Sequence, residues 1–377
     1  MPIIIRNAQV YAPESRGVNN VLIEGGRILS VSSGAAGLEG ELLETIDAQG
    51  RWLLPGIVDV LTHPCGGGGE GGFGNRIPEL EADEFIRAGV TTPVGALGTD
   101  SITRSLEVLF GKTMELRAKG LSALMYNGSY RMPPLTLTGD VARDMLLVEP
   151  VIGVGEVAIS DHRSSQPTTQ ELRRLAADVH LGGTLSGKQG VVFLHLGDGG
   201  AGLEPIESAL AGTELPRRLF YPTHSNRNRS LLEQAAQHAS RGGYADITVS
   251  TTEELIAAGD IPALDALSLA LEAGAPAERL TLSSDAGGSL PLYRDGELAG
   301  LQSASPGAML DTLTAAIGRA DTVETVIAAM TRNPARALGL ARKGCIAPGF
   351  DADLMLLDSS SGSLDFVMCQ GQWLLKS

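Results

Sequence analysis

The stretch that decides the fold runs from VIGVGEVAI at residues 151–159, through ELRRLAADVH at 171–180, to VVFLHL at 191–196. An apolar β-prone run, an amphipathic helical run and a second apolar run are typical of a βαβ unit with two parallel strands. Thr168 followed by Glu171 has the form of a capping box. The pattern therefore predicts a helix that begins directly after Thr168.

The same alternation continues on both sides of this unit. Other amphipathic helical stretches lie at residues 103–119, 230–240 and 263–273. Eight apolar β runs can be counted, at residues 56–60, 90–96, 123–127, 151–159, 191–196, 219–223, 245–250 and 280–284. Eight strands alternating with helices favour an α/β fold of the (β/α)8 TIM-barrel type. An open, doubly wound sheet is the alternative that periodicity alone leaves open.

The two ends of the chain differ from this middle. They contain β-prone runs at residues 2–10, 21–31, 353–357 and 366–375. Residues 14–20 are expected to form a polar turn, and Gly25-Gly26 to break the second run. We therefore predict a small β-sandwich domain built from both termini, residues 1–55 and 340–377, and a barrel domain of residues 56–339.

Charge and cysteine content narrow the classes of function. The chain has 44 acidic and 29 basic residues, and the resulting charge of −15 repels phosphate backbones, so we expect no nucleic-acid partner. Three scattered cysteines do not suggest a disulfide framework, which favours the cytoplasm. The N-terminal residues lack the pattern of a secretory signal and no apolar run is long enough to span a bilayer, so we expect no membrane partner.

Ionisable residues fall at the carboxyl-terminal ends of the predicted strands. They are His63, Glu156, His195, His224 and Asp285, which end or follow strands 1, 4, 5, 6 and 8. In a TIM barrel the catalytic groups lie at that face, and each of these side chains is a metal ligand or a general base. Any one of them could be structural, since Asp285 could cap a helix. Together they predict a metal site.

Longer segments carry a family resemblance. They are GGGGEGG at 66–72, AGVTT at 88–92, GTDS at 98–101, ISDHRS at 159–164, PTHSNRN at 222–228, LSSDAGGSLP at 282–291 and KGCIAPGFDADLMLLD at 343–358. In this order they resemble the amidohydrolase superfamily and, within it, the isoaspartyl (β-aspartyl) dipeptidases. The resemblance covers nearly the whole chain and implies a metal-dependent amide hydrolase.

The resemblance also places the metal ligands, with two departures. His195 and His224 match the family's histidines after strands 5 and 6, and Asp285 matches its strand-8 aspartate. The strand-1 His-x-His motif is here Leu61-Thr62-His63, and Glu156 aligns with the strand-4 lysine that the family carboxylates. Similar departures occur in N-acetylglucosamine-6-phosphate deacetylases, some of which hold one metal. We therefore expect one divalent ion rather than two, and zinc as its identity. The candidate ligands are Glu156, His195, His224 and His63.

The resemblance implies a substrate site as well. Glu70 matches the family's carboxylate for the substrate ammonium, and Arg163 and Arg227 match arginines that hold carboxylates. Tyr130 matches the tyrosine that polarises the scissile carbonyl, and Asp285 is the expected general base. The predicted catalytic residues are Asp285 and Tyr130, and the predicted substrate-binding residues are Glu70, Thr99, Arg163, Arg227 and Ser289.

Three functions remain open from the sequence. Glu70, Tyr130 and the two arginines favour hydrolysis of isoaspartyl dipeptides or similar small amides. Glu156 and the missing strand-1 histidine favour a deacylase that acts on an N-acyl amino acid or amino sugar. The third reading is a non-catalytic protein that keeps the amidohydrolase fold. By analogy with the family we expect a homo-oligomer.

Overall fold

In the described residues, the two ends of the chain form strands without α-helices, and strands alternate with helices between them. The computed structural model describes residues 1–34, 43–294, 297–319 and 322–376. The strands are β1 Ile3–Tyr11, β2 Ser15–Glu24, β3 Arg27–Ser32, β4 Glu44–Asp47, β5 Trp52–Pro55, β6 Ile57–Thr62, β7 Val90–Gly95, β8 Leu124–Asn127, β9 Val151–Ile159, β10 Val191–Leu196, β11 Phe220–Thr223, β12 Ala245–Thr248, β13 Leu280–Ser283, β14 Ser289–Arg294, β15 Glu297–Ser303, β16 Leu354–Leu357, β17 Leu364–Cys369 and β18 Gln372–Lys376.

The α-helices lie mainly between the central strands. They are α1 Ala82–Arg87, α2 Leu106–Ala118, α3 Val141–Leu147, α4 Thr169–Ser186, α5 Glu204–Leu210, α6 Arg229–Ser240, α7 Glu253–Ala258, α8 Ala263–Glu272, α9 Gly307–Ile317, α10 Val323–Met330 and α11 Arg332–Leu338. Short 3-10 turns occur at Phe73–Asn75, Arg217–Leu219 and Ala277–Arg279. Within the described ranges, no helix combines the length and the apolar character that a membrane crossing requires.

The central strands form a curled parallel sheet. Six of them lie in the order β11-β10-β9-β8-β7-β6, and β12 and β13 form a further parallel pair. A parallel bridge joins Thr62, at the end of β6, to Ala286, just beyond β13. At the opposite edge, the backbone N–H of Ser225 donates to the carbonyl of Asp246 on β12. The carboxyl ends of all eight strands therefore face one region, in which the residues that follow them converge.

Helix α4 begins where the capping box predicts. The Glu171 N–H donates to Thr168 Oγ1 at 3.3 Å, and the Thr168 N–H donates to the Glu171 carboxylate at 2.8 Å. The helix continues six residues past the predicted end at residue 180, through Gly182 and Gly183. Both glycines are buried, and Gly182 lies against α3, so tertiary packing holds the helix where local propensity would end it.

Strands from both ends of the chain share a second sheet. Its order is β18-β17-β16-β5-β1-β2-β3, with β4 paired to β1, so the N-terminal strand β5 pairs with the C-terminal strand β16. The expectation that both termini build one β structure is therefore met at the level of this sheet. The β-sandwich architecture and the domain boundaries remain predictions.

Two local predictions at the termini are wrong. Residues 15–20 are not a turn but the first part of β2, and polar Asn20 is accommodated there because its Oδ1 accepts the Asn7 N–H at 3.0 Å. Residues 366–375 are not one strand but β17 and β18, which turn at Gln370-Gly371 with φ values of 48° and 75°. In both places a short turn reverses the chain, at residues 12–14 between β1 and β2 and at Gln370-Gly371 between β17 and β18.

Two carboxylates are buried inside the curled sheet. Asp59 on β6 accepts the backbone N–H of Ser284 at 3.1 Å and also its hydroxyl. Burial raises the pKa of Asp59 and of Asp246 on β12 to about 7, although hydrogen bonds partly oppose the shift. The donors to Asp246 are the hydroxyls of Thr223, Thr281 and Ser283. Asp59 thus fixes the loop after β13, directly before Asp285.

Candidate metal centre and active site

A buried carboxylate lies at the centre of three histidines. Glu156 Oε1 lies 2.8 Å from His195 Nδ1 and 3.0 Å from His224 Nε2. The second oxygen, Oε2, lies 3.4 Å from His63 Nε2 and has no hydrogen-bond partner. Among the described residues, the ligand atoms of Glu156, His195 and His224 form a group within 4.8 Å of one another that could hold a metal ion.

A β-bulge brings Glu156 into this position. The pairing of β9 with β10 shifts by one residue between the pairs Val154–Val192 and Val157–Leu194, so two residues of β9 oppose Phe193. One of the two is Gly155, where a Cβ would lie 2.7 Å from the Cβ of Phe193. Only glycine fits this close approach, and β-bulges re-aim side chains next to active sites.

Three residues at the same place have a strained backbone. His224, Asp285 and Ser160 have φ values of 58°, 53° and 53°, in the left-handed region that non-glycine residues avoid. Such a conformation costs about 1–3 kcal/mol per residue and persists where the surrounding structure enforces it, most often at functional sites. The backbone of these three residues therefore marks the region after β9, β11 and β13 as a functional site.

The electrostatics of the cluster favour a cation. Burial by itself raises the pKa of Glu156, but the neighbouring histidines outweigh it and hold the pKa well below its usual range. Burial by itself lowers the pKa of His63, but the carboxylates of Asp285 and Glu156 raise it to about 10. Burial, followed by the charge of His195, lowers the pKa of His224 to about 4. An ionised carboxylate thus faces a neutral His224 ring with a free lone pair.

These donors fit a divalent metal of the zinc type, which binds carboxylate oxygen and imidazole nitrogen. His224 Nδ1 lies 2.6 Å from Thr248 Oγ1 and His63 Nδ1 lies 3.1 Å from the Ala96 carbonyl, so in both rings Nε2 is the nitrogen that faces Glu156. Glu156 Oε2, which has no hydrogen-bond partner, is a further possible ligand atom. Leu61, at the position of the family's first strand-1 histidine, is fully buried among apolar side chains and offers no ligand.

The predicted substrate-binding residues lie beside this cluster. Thr99 Oγ1 donates to Glu70 Oε1 at 2.8 Å, and Arg163 Nη1 lies 3.3 Å from the same oxygen. Nη2 atoms of Arg163 and Arg227 lie 3.1 and 3.3 Å from His195 Nε2. The second oxygen of Glu70 is buried without a hydrogen-bond partner. Opposite charges are therefore held within one small region.

The predicted catalytic residues are close to the same atoms. The Tyr130 hydroxyl lies 2.7 Å from His195 Nδ1, and burial raises the pKa of Tyr130 well above 10, so the phenol is protonated. Asp285 Oδ1 lies 3.1 Å from His63 Nε2 and is otherwise unpartnered. Ser289 lies with Asp285, Arg163 and Arg227 on two adjoining cavities of about 40 and 320 Å³. Every predicted site residue therefore lies at this face.

Sequence reasoning missed Asp161. Its side chain is 2% exposed, and Oδ2 lies 3.0 Å from His195 Nε2 and 2.7 Å from Arg163 Nη2. Burial by itself raises the pKa of Asp161, but hydrogen bonds from His195 and Arg163 hold it far below its usual range. The available signal was its place two residues before Arg163, which suits a local carboxylate–guanidinium pair.

Another residue that the sequence did not single out holds the segment that contains the glycine-rich loop at residues 66–72. Arg104 is buried, and its guanidinium donates to the carbonyls of Cys65 at 3.0 Å and Ile77 at 2.7 Å, at the two ends of the loop segment. The loop carries Glu70, so Arg104 contributes to the placement of that carboxylate.

Fold and site together are typical of an α/β enzyme whose polar groups extend from the carboxyl ends of parallel strands around a cluster that could hold a metal ion. The sequence profile of the amidohydrolase family matches residues 216–374. The chain is similar to the crystal structure of the beta-aspartyl dipeptidase of the thermophilic, keratin-degrading Fervidobacterium islandicum AW-1 in complex with a beta-Asp-Leu dipeptide. The two share 44% identity over 100% of this chain and 97% of that chain, with a TM-score of 0.91.

More distant similarity extends to other enzymes. Imidazolonepropionase of Stenotrophomonas maltophilia (strain R551-3) is 26% identical over 367 residues, covering 88% of this chain and 84% of the relative. N-acetylglucosamine-6-phosphate deacetylase of Pasteurella multocida is 16% identical over 99% of both chains, with a TM-score of 0.66, a likeness of fold alone. This chain belongs to the amidohydrolase family and is a hydrolase.

Proposed function

We propose that this protein hydrolyses the amide bond of isoaspartyl (β-aspartyl) dipeptides. The observation that carries the proposal is the grouping of one carboxylate, Glu70, with two guanidinium groups, Arg163 and Arg227, beside the Glu156 cluster. An isoaspartyl dipeptide carries one ammonium, two carboxylates and an amide, which complements that set. The 44%-identical beta-aspartyl dipeptidase supports the same substrate class.

Glu156, His195 and His224 are the residues that would hold one divalent ion, with zinc as the proposed identity and His63 as a further candidate ligand. When bound, such a metal lowers the pKa of a water molecule and polarises a carbonyl group. The chain itself supplies the ionised carboxylate and the two imidazoles, and it excludes bulk water because all three side chains are buried.

The remaining side chains bind, orient and transfer protons. Glu70, oriented by Thr99, binds the substrate ammonium, while Arg163 and Arg227 bind its carboxylates as planar, charge-assisted partners. Asp285 Oδ1 accepts the proton of the attacking water and returns it to the leaving amine. Tyr130 donates a hydrogen bond to the oxygen of the scissile carbonyl as negative charge develops. Ser289 contacts the end of the substrate in the adjoining cavity.

We also propose a domain architecture, a cellular location and partners for the protein. The bridge between Thr62 and Ala286 supports closure of the eight strands into a (β/α)8 barrel of residues 56–339, with residues 1–55 and 340–377 as a β-sandwich domain. The free cysteines at positions 65, 345 and 369 support a cytoplasmic location. The partners proposed are a dipeptide and further copies of the chain, with no nucleic acid and no membrane.

Metal analysis of the purified protein should give about one tightly bound ion per chain. The reason is that Leu61 removes one ligand from the side of His63, while Glu156, His195 and His224 remain complete. Glu156→Gln should abolish tight binding, because the amide loses the anionic oxygen that bridges the two histidines. Two ions per chain, both retained after dialysis against a weak chelator, would contradict a single-ion site.

A substrate panel separates dipeptidase from deacylase activity. With zinc, cobalt or manganese supplied, the protein should cleave β-Asp-Leu and leave α-Asp-Leu and N-acetyl-leucine intact, as followed by release of free leucine. The isomeric α-dipeptide is the matched control, since it has the same atoms and charges in another arrangement. If the protein readily cleaved N-acetyl-leucine but not β-Asp-Leu, the dipeptidase proposal would fail and the protein would be a deacylase.

A further inference from the structure

One buried carboxylate contacts both His195 of the Glu156 cluster and the two arginines proposed to bind substrate. Asp161 Oδ2 lies 3.0 Å from His195 Nε2 and 2.7 Å from Arg163 Nη2. Its Oδ1 accepts the Arg163 Nε–H at 3.0 Å and the Arg163 backbone N–H at 2.7 Å. Arg227 Nη1 is 3.9 Å from Oδ2. Oδ2 is thus shared between His195 and the arginines, while Oδ1 accepts two hydrogen bonds from Arg163 alone.

The contact with His195 selects a tautomer. The nitrogen of an imidazole that faces a metal carries no proton, and the hydrogen bond of the other nitrogen sets this arrangement. Nδ1 of His195 faces Glu156 and would be the ligand atom for a bound ion, and in that state the proton would reside on Nε2. The groups near Nε2 are Asp161 and the guanidinium groups of Arg163 and Arg227, and of these only the carboxylate can accept that proton.

The chain makes room for this carboxylate at a local cost. Ser160, directly before Asp161, has φ at 53°, a conformation that costs about 1–3 kcal/mol in a non-glycine residue. Gly197, two residues after His195, approaches so closely that a Cβ there would lie 2.6 Å from the Cβ of Asp161. A strained residue and a required glycine at one contact indicate that the position of Asp161 is fixed by the fold.

We infer that Asp161 is a positioning residue that orients His195 for metal binding and Arg163 for substrate binding at the same time. The inference rests on the proposed metal site and not on the identity of the substrate. Asp161 touches neither the reacting atoms nor the metal ligand atom Nδ1. It acts through His195, whose ring it holds, and through Arg163, which in turn contacts Glu70 at 3.3 Å.

An Asp161→Asn substitution tests this without a change of shape. An amide has one accepting oxygen and one donating NH2 group, so it cannot satisfy both pairs of donors that the two carboxylate oxygens accept. If the NH2 group faces His195, the imidazole proton is driven to Nδ1, where it blocks metal binding. Asp161→Ala removes the acceptor altogether and does not depend on how the amide is turned.

The readout is metal affinity of the apo-protein, measured by competition with a coloured chelator for Zn²⁺ and Co²⁺ in the absence of substrate. Asp161→Ala should weaken affinity by about tenfold to 100-fold, the scale known for lost partners of metal-binding histidines, and Asp161→Asn should shift it the same way. Arg163→Met should leave metal affinity within about threefold of the parent and raise KM instead. Asp83→Asn is the matched control, because Asp83 is exposed and pairs with Arg87 at the surface.

The visible spectrum of the Co²⁺-loaded protein gives an independent signal, because it reports ligand geometry at the metal and not overall fold. It should change in Asp161→Ala and stay unchanged in Arg163→Met. Parent-like affinity and spectrum in a folded Asp161→Ala protein, with an apo-protein melting temperature equal to the parent's, would overturn the inference. Because substrate is absent, that result is separate from any failure to cleave β-aspartyl dipeptides.

Discussion

Asp285→Asn should lower kcat for β-Asp-Leu hydrolysis by about 100-fold or more, the usual scale of general-base catalysis. The amide keeps the shape of the side chain but cannot accept a proton at neutral pH. Asp285 Oδ1 is otherwise unpartnered and lies at the centre of the site, 3.1 Å from His63 Nε2. Steady-state kinetics at saturating dipeptide would measure the loss directly.

The metal content of this variant should stay the same, because Glu156, His195 and His224 carry the binding. Asp265→Asn provides the control, since that exposed aspartate on α8 pairs only with Arg319 in the described contacts. If Asp285→Asn turned over near the parent rate, another residue would have to be the base. If it lost the ion as well, Asp285 would be a ligand rather than a proton acceptor.

Arg227→Met should reduce kcat/KM on β-Asp-Leu by about 30-fold or more. Removing one partner of a buried, hydrogen-bonded charge pair costs roughly 2–5 kcal/mol, and each 1.4 kcal/mol is tenfold. The Arg227 side chain is 27% exposed, which places the expected loss near the lower end of that range. Methionine keeps much of the length and apolar volume of the arginine stem, so the change removes chiefly charge and hydrogen bonds.

Two comparisons show whether that loss comes from substrate recognition. Arg229→Met, two residues along and paired at the surface with Glu233, should leave kcat/KM unchanged. Glu70→Gln should lower kcat/KM for β-Asp-Leu far more than for its N-acetylated form, because only the free dipeptide offers an ammonium to Glu70. If Glu70→Gln lowered kcat/KM equally for both compounds, Glu70 would not bind the ammonium. If Arg227→Met kept the parent's kcat/KM, Arg227 would not bind a substrate carboxylate.

The central strands could be predicted because buried parallel strands are continuous apolar runs. Each of the eight predicted runs overlaps a strand, β9 and β10 have the predicted bounds, and β6 extends two residues past its predicted end, to Thr62. The site residues could be predicted because the ends of parallel strands meet, so polar residues placed there along the chain become neighbours in space. His63, His195 and His224, which are far apart in sequence, converge on Glu156 for this reason.

What the sequence did not reveal depends on contacts between segments. The β14–β15 hairpin, β4 and β5 are short or polar, and their pairing partners stabilise them more than their own composition does. Asp161 was not predicted as a site residue because an aspartate in a loop is ordinarily solvated, and only the fold buries it against His195. The bulge at Gly155 is likewise invisible until β9 and β10 are paired.

The shared sheet of the two chain ends has a consequence for biosynthesis. The edge of β5 pairs with β16, which a ribosome makes about 300 residues later. At roughly 5–20 residues per second this edge stays bare for on the order of 15–60 s during translation. A bare strand edge is a template for pairing with another chain, so nascent copies on one messenger RNA are exposed to cross-pairing until the last strands emerge. Slow codons ahead of residue 354 would lengthen that window and lower the yield of native protein.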